Sequence, residues 1–332
     1  MGLCLCLSGC SRPQTEAKPE TGPQVVATIF PLYDFARQIL GDDSRVTLLL
    51  SPGMESHSYD PSPQDMIRVL ESDLFLYIGG ESDAWVERTL EGGERPAGAA
   101  LRLMDAVEAL EEEEVPGAEG RGHSHSQGDE DDHDHAHDHA HDHEEDGYED
   151  HSVYGELEYD EHIWTSPPNA IRMVEAIADA LCELDPAGAA TYRENAAAYE
   201  EQLEALDEDF RAVTEAGKRH ELVFGDRFPF RYLVEEYGLA YAAAFPGCSG
   251  ESEPSAATVA ALVDHIKNNH IPVVFYLELS NHRVADVLAE STGAQTRELH
   301  SLQTVTREEF EAGETYLSLM ERNLEHIKEA LN

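Results

Sequence analysis

The sequence predicts an α/β protein with two lobes, each built on a mostly parallel β-sheet flanked by helices and joined by one long connector helix. Short apolar, β-branched segments alternate with helical segments before residue 110 and again after residue 217, an order typical of parallel sheets covered on both faces. Between the two series lies a helical stretch of about thirty residues, Ala187–Ala216, on the order of 45 Å long. With 332 residues, the chain is long enough for two cores.

The first series begins with Val25–Ile29, a continuous apolar run that predicts a buried strand. Pro31 opens a helix that ends before Gly41, and Ser62 caps a helix that begins at Pro63. By the same rules we expect strands at 46–50 and 74–78 and helices at 31–40, 63–71 and 83–90. After an acidic, His-rich insertion, we expect a helix at 169–184, because its apolar residues share one face.

The second series predicts four strands and four helices. The strands are expected at 222–224, 239–245, 273–277 and 296–299, and the helices at 230–237, 255–268, 284–291 and 315–331. We therefore expect a tether at 1–23, an N-terminal lobe at 24–185 with a disordered insertion at 111–151, a connector helix at 186–217 and a C-terminal lobe at 218–332. The connector is interpreted as a stiff spacer rather than a core helix, since it is as long as a domain.

The formal net charge of −46 excludes nucleic acid as a partner, because phosphates attract the opposite sign. It also argues against electrostatic docking on anionic lipid and is compatible with gathering cations. An acidic host proteome is an alternative explanation of the background charge.

The first residues resemble a bacterial lipoprotein signal. Small residues precede Cys10, the expected lipidation site, and the polar segment Ser11–Pro23 reads as a tether. The apolar run before Cys10 is short and lacks Lys or Arg, so we expect a truncated start; a cytosolic protein with a chance cysteine is the alternative. Cys182 and Cys248 could pair, but Cys182 lies on an apolar helical face, which favours a core position.

Nine of the seventeen histidines lie between Gly122 and Ser152, interleaved with Asp and Glu. This tract has too little apolar surface to fold. Its imidazoles and carboxylates are suited to weak, multidentate capture of a divalent metal. The predicted low-affinity ligands are His133, His135, His137, His139, His141 and His143.

A single histidine in the first lobe marks a candidate metal site. The segment Pro52–Pro63 follows the second strand and places His57 on a proline-stiffened loop. Open α/β sheets bind ligands beyond the carboxyl ends of their strands, so we expect the site in the cleft between the two lobes. Glu55 is expected to support the ligands. A solvated loop histidine is the alternative.

A second histidine, His162, lies just before the helix at 169–184. Asp160 and Glu161 are near enough to orient its second ring nitrogen, as carboxylates do around metal ligands. Trp164 would shield the site from bulk water. An incidental histidine at a helix flank is the alternative.

These two segments resemble the zinc- and manganese-binding lipoproteins of bacterial ABC importers, the ZnuA/TroA-like group. Gly53–Pro63 matches the group's Gly-x-x-x-His-x-Tyr-x-Pro-Ser-Pro loop, and Asp160–Asn169 matches its Asp-x-His-x-Trp-x-x-Pro-x-Asn segment. The resemblance covers residues 24–332 and includes a His-rich insertion typical of the zinc-directed members. It implies that His57 and His162 are metal ligands.

The remaining ligands are where the sequence departs from the group. The group places a His or Glu after the first strand of the second lobe, but here Asp226 is the nearest candidate, and pairing with Arg227 is its alternative role. After the last strand, His300 is favoured as the third nitrogen ligand. Glu278 is placed to be a ligand or an acceptor beside one. The other histidines of the C-terminal lobe are expected to be solvated: His220, His265, His270, His282 and His326.

Three imidazoles and a carboxylate or water favour Zn²⁺, whereas more carboxylates would favour Mn²⁺. The resemblance implies a monomeric, extracytoplasmic protein, lipid-anchored through Cys10, that hands zinc to an ABC permease and its ATPase. A metallohydrolase is an alternative, but no His-Glu-x-x-His signature is present. A zinc buffer or adhesin in which the tract is the whole function is the other alternative.

Overall fold

The structure, a computed structural model, describes residues 22–55, 59–91, 98–112, 159–245 and 254–332. The described part of the chain contains two four-stranded sheets, and all the strands within each sheet are parallel. The first has the order β2-β1-β3-β4 and the second β6-β5-β7-β8. The strands are β1 Val25–Ala27, β2 Val46–Leu48, β3 Leu74–Tyr77, β4 Ala99–Arg102, β5 Glu221–Phe224, β6 Ala240–Ala243, β7 Val273–Tyr276 and β8 Gln295–Glu298. This confirms the predicted fold class.

Ten α-helices lie in the described residues, and two of them carry the end signals predicted from the sequence. Gly41 ends the first helix in the left-handed conformation, with φ of 64°. Ser62 and Asp65 form a capping box at another. The helices are α1 Phe30–Leu40, α2 Pro63–Glu71, α3 Ala84–Glu91, α4 Pro167–Leu184, α5 Ala189–Ala216, α6 Arg231–Tyr237, α7 Ala256–Asn269, α8 Arg283–Thr292, α9 Arg307–Ala312 and α10 Tyr316–Leu331. None of these helices is long and apolar enough to span a bilayer.

Two elements were missing from the sequence-based prediction, and five strands are shorter than predicted: β1, β2, β3, β6 and β7. β4 is an edge strand with half-exposed or exposed side chains, so it lacks the apolar run that marks a buried strand. α9 has only six residues, too few to show a helical period. The strand expected at 239–245 is limited to β6.

The interpretation of the connector helix as a spacer outside the core is wrong. One face of α5 is buried in the largest apolar cluster of the protein, which also includes residues of both lobes. The buried side chains of this face are Tyr192, Ala196, Tyr199, Leu203, Leu206, Phe210 and Thr214. The helix therefore connects the lobes and is part of their shared core.

Buried Asp34 ties the first lobe to the connector and to the closing helix. Its carboxylate accepts hydrogen bonds from the Tyr199 hydroxyl at 3.1 Å and the Tyr316 backbone N–H at 2.9 Å. Arg37 donates to the same carboxylate at 2.6 Å. Since a buried carboxylate is costly unless it is paired, these bonds fix the relative position of α1, α5 and α10.

The carboxyl ends of the two sheets face each other. The backbone N–H of Phe30, after β1, donates to the Gln303 carbonyl at 3.3 Å, and that of Gly53, after β2, donates to the Val305 carbonyl at 2.7 Å. Residues 303 and 305 follow β8 in the other lobe. The loops expected to hold ligands therefore meet between the lobes.

Candidate metal centre

His162 lies five residues before α4, at the start of a short 3-10 helix, Ile163–Thr165, and is completely buried. Asp160 Oδ1 is 3.0 Å from the His162 Nδ1 and also accepts the His162 backbone N–H at 2.8 Å. A carboxylate at this distance accepts the Nδ1 proton, which leaves the lone pair of the neutral ring on Nε2. This is the arrangement that a metal-binding imidazole requires.

The charges of the pair shift both of its pKa values. Burial alone would lower the pKa of His162, but the nearby Asp160 carboxylate outweighs it, and the pKa is raised. Burial alone would raise the pKa of Asp160, but the interaction with His162 lowers it. Asp160 therefore stays ionised and continues to orient the ring.

Trp164 packs against the His162 ring with their centroids 5.4 Å apart at an angle of 61°. Its indole Nε1 donates to the Ser301 carbonyl of the second lobe at 2.8 Å, and its own carbonyl accepts the Tyr316 hydroxyl at 2.7 Å. Trp164 is completely buried. It therefore encloses one side of His162 and joins this segment to the second lobe.

Glu161 was expected to orient the second ring nitrogen of His162, but its carboxylate binds elsewhere. Its buried carboxylate accepts the backbone N–H of Ser82 at 2.9 Å and the Ser82 hydroxyl. It fastens the loop after β3 to the segment that carries His162. Asp160 is the carboxylate that orients the ring.

Two carboxylates follow the central strands of the second sheet. Asp226, after β5, accepts backbone N–H groups from Arg227 at 2.9 Å and Leu277 at 3.2 Å. Glu278, after β7, accepts the backbone N–H of Ser301 at 2.7 Å and its hydroxyl. Both are buried, and burial raises the pKa of Glu278. Both carboxylates thus hold loops together at the edge of the cleft.

His300 follows β8 as predicted and is completely buried. Its Nδ1 accepts the backbone N–H of Leu302 at 2.9 Å, and its Nε2 lies 3.4 Å from Glu309 Oε2. Burial would lower its pKa, but Glu278 and Glu309 outweigh burial and raise it. Because Nδ1 accepts here, a neutral His300 carries its proton on Nε2, toward Glu309. A metal bound through Nε2 would replace that proton and the contact with Glu309, and Nδ1, then protonated, would lose the hydrogen bond from Leu302.

Arg227 does not pair with the Asp226 carboxylate through its guanidinium, as the alternative for that residue supposed. It reaches across the cleft to Glu55, with Nη2 and Oε2 3.0 Å apart. Glu55 lies two residues before His57. The loop expected to carry that ligand is thus held from the second lobe.

Several predicted site residues lie outside the described residues: His57, the six tract histidines at 133–143 and Cys10. Within the described ranges, no group of three His, Cys, Asp or Glu side chains is arranged to hold a metal. Cys182 is buried as expected, with its thiol 3.6 Å from the Ala189 carbonyl, whereas Cys248 falls outside.

Two of the histidines expected to be solvated are partly buried. His265 Nε2 lies 2.8 Å from Glu221 Oε1, and His326 Nδ1 lies 2.7 Å from the Glu298 carbonyl. Both fasten a helix to a strand in the second lobe. His220, His270 and His282 are exposed as expected.

Sequence reasoning missed three residues that complete this region: Ser82, Ser301 and Glu309. Each acts through a carboxylate or imidazole that is distant along the chain. The Thr306–Glu309 capping box is the one local signal that could have found α9 and, with it, Glu309.

Comparison with known proteins agrees with this geometry. The model of the family "Zinc-uptake complex component A periplasmic", ZnuA, matches residues 25–330. The chain belongs to the ZnuA family. The members of this family are binding components of zinc uptake systems and not enzymes, as the sequence predicts.

Two relatives of this ZnuA-family chain have names that refer to zinc binding or zinc uptake. The zinc-binding lipoprotein AdcA of Streptococcus pneumoniae serotype 4 is 32% identical over 306 residues, which cover 92% of this chain and 55% of AdcA. The chain thus spans about half the length of that relative. The high-affinity zinc uptake system protein ZnuA of Bacillus subtilis strain 168 is 29% identical over 333 residues, covering 98% of this chain and 94% of the relative.

Solved structures share the two-lobe fold. The crystal structure of the Zn(II)-bound ZnuA-like domain of Streptococcus pneumoniae AdcA superimposes with a TM-score of 0.71 and 29% identity, covering 93% of this chain and 99% of that domain. The Bacillus subtilis metal-dependent lipoprotein YcdH superimposes with a TM-score of 0.71 and 26% identity, covering 93% of this chain and 99% of that chain.

Proposed function

We propose that this ZnuA-family protein captures Zn²⁺ in the cleft between its lobes and delivers it to an ABC permease and its ATPase. The observation that carries the proposal is the buried Asp160–His162 pair, which directs the Nε2 lone pair of an oriented imidazole. The zinc-binding names of its relatives support zinc as the cargo. Such a protein binds and releases a metal and needs no catalytic group.

The proposed ligands are His57, His162 and His300, with one carboxylate or water to complete a tetrahedral site. Glu278 is the carboxylate we favour, because its oxygens lie beside His300, with Oε2 3.8 Å from Nδ1. Asp226 is the other candidate; as with Glu278, both of its oxygens accept hydrogen bonds in this structure. A nitrogen-rich set favours Zn²⁺ over Mn²⁺.

The proposal places the protein outside the cytoplasm, as a monomer anchored through a lipid on Cys10. The names of its relatives as lipoproteins support the anchor. The His-rich tract, with residues 133–143 at its centre, would be a weak collector that raises the local zinc concentration. The two domains of the protein would be the lobes at 24–185 and 218–332. Because both lobes share a core along α5, we expect only limited hinge motion between them.

As the pH is lowered, zinc affinity is expected to begin to fall at a higher pH than it would for a site built from histidines with an ordinary pKa. Zinc binds the neutral imidazole, and the pKa values of His162 and His300 are both raised. Protons therefore compete with zinc at pH values above the ordinary histidine pKa of about 6.5. Each displaced proton weakens binding by up to about tenfold per pH unit below that group's pKa.

Zinc titrations in competition with a chelator, repeated between pH 8 and pH 4, measure this dependence. The proposal predicts one tight zinc per chain at pH 8 and a progressive loss of affinity toward pH 5. Affinity that stays constant across this range would overturn a site built from imidazoles. A profile that begins to fall only below about pH 4.5 would indicate a site built from carboxylates instead.

A further inference from the structure

We propose that Tyr232, a residue of the second lobe, is a positioning residue for the zinc site of the first lobe, acting through Asp160. The inference rests on the proposed function, since it assigns His162 as a zinc ligand. Tyr232 lies on α6 and is buried. In the proposal Tyr232 does not itself bind the metal.

The contacts of the Tyr232 hydroxyl define this role. It donates to the Asp160 carbonyl at 2.8 Å and accepts the Leu110 backbone N–H at 3.0 Å. Burial raises the pKa of Tyr232 to about 12, so the hydroxyl remains a donor at neutral pH. The phenol thus satisfies one backbone group on each of two segments that are fifty residues apart.

Those two segments also pair with each other. Asp160 donates its backbone N–H to the Leu110 carbonyl at 2.9 Å, and Glu111 and Tyr159 form an isolated antiparallel bridge. The chain on either side of residues 113–158 therefore meets at one point, and Tyr232 fastens that point to the second lobe. Asp160 is held on its N–H and on its carbonyl.

The consequence for zinc follows from the geometry of Asp160. Its carboxylate accepts both the backbone N–H and the ring Nδ1 of His162. A shift of the Asp160 backbone would move the acceptor away from Nδ1 and loosen the ring. Because Tyr232 belongs to the other lobe, the orientation of His162 depends on contact between the lobes, and an opening of the cleft would release the metal.

Tyr232→Phe tests this inference, with Tyr237→Phe as the matched control. Tyr237 lies on the same helix, is buried, and donates its hydroxyl to Asp207 at 2.9 Å, on the side of the connector helix. Zinc affinity and the rate of zinc release to a chelator are measured for the full chain, together with thermal unfolding without metal. Removing a carboxylate that orients a metal ligand typically weakens binding 10–100-fold, and we expect about 3–10-fold for Tyr232→Phe, mainly through faster release.

A double-mutant cycle with Asp160→Asn separates positioning from a general structural role. If Tyr232 acts through Asp160, Tyr232→Phe has little further effect on zinc affinity in the Asp160→Asn chain. The inference is overturned if Tyr232→Phe weakens zinc binding no more than Tyr237→Phe, or if its effect is the same in both backgrounds. If Asp160→Asn itself leaves zinc affinity unchanged, the assignment of His162, and with it the proposed function, fails first.

Discussion

Replacing His162 with alanine is expected to weaken zinc binding by at least about 100-fold. The loss of a carboxylate behind a metal-binding histidine already costs 10–100-fold, so the loss of the histidine itself should cost more. The ring is completely buried and oriented by Asp160. A water molecule in its place would therefore be a poorer zinc ligand than the imidazole. Competition with a chelator of known zinc affinity measures the effect.

The matched control is His265→Ala. Like His162, His265 lies beside a carboxylate, with Nε2 2.8 Å from Glu221 Oε1, but it is only partly buried and lies on α7 of the second lobe. Its replacement should leave zinc affinity unchanged. Thermal unfolding without zinc shows whether His162→Ala still folds. A folded His162→Ala protein that binds zinc as tightly as the His265→Ala control would contradict the assignment.

Replacing Phe210 with alanine is expected to lower the free energy of unfolding by about 3–5 kcal/mol. Phe210 lies on the connector helix, is completely buried, and stacks on Tyr237 with ring centroids 5.2 Å apart. The cost arises from the lost apolar contacts and the cavity that remains. Urea denaturation at neutral pH without zinc measures it.

Glu201→Ala, an exposed position on the same helix, is the control and should change stability by no more than about 0.5 kcal/mol. If α5 were only a spacer, the two replacements would have similarly small effects. A cost for Phe210→Ala below about 1 kcal/mol would therefore contradict the shared core.

The sequence predicted the buried strands and capped helices well, because their signals are local. The run Leu74–Ile78 and the cap at Ser62 depend only on neighbouring residues, and the structure has a strand and a helix there. It missed β4, whose half-exposed edge position removes the apolar pattern, and it predicted the helix α5 but not its burial in the core. An Ala- and Glu-rich helix shows a weak apolar face, although that face is buried by residues from both lobes.

The candidate site was predictable in its positions and not in its contacts. His162 and Asp160 are two residues apart, so their hydrogen bond was accessible from the sequence. The partner of Glu161 is Ser82, and that of His300 is Glu309, and neither pair has a signal in its spacing. Such contacts arise when loops from different strands meet, which depends on the whole fold.

We propose that the cleft, and not the His-rich tract, holds the tight zinc site. Calorimetric titration of a chain that lacks residues 123–151 tests it most directly, with His57→Ala made in the same shortened chain as its partner. The shortened chain is expected to bind one zinc with the affinity of the full chain, and His57→Ala is expected to abolish this binding. Loss of tight zinc binding on removal of the tract alone would contradict it.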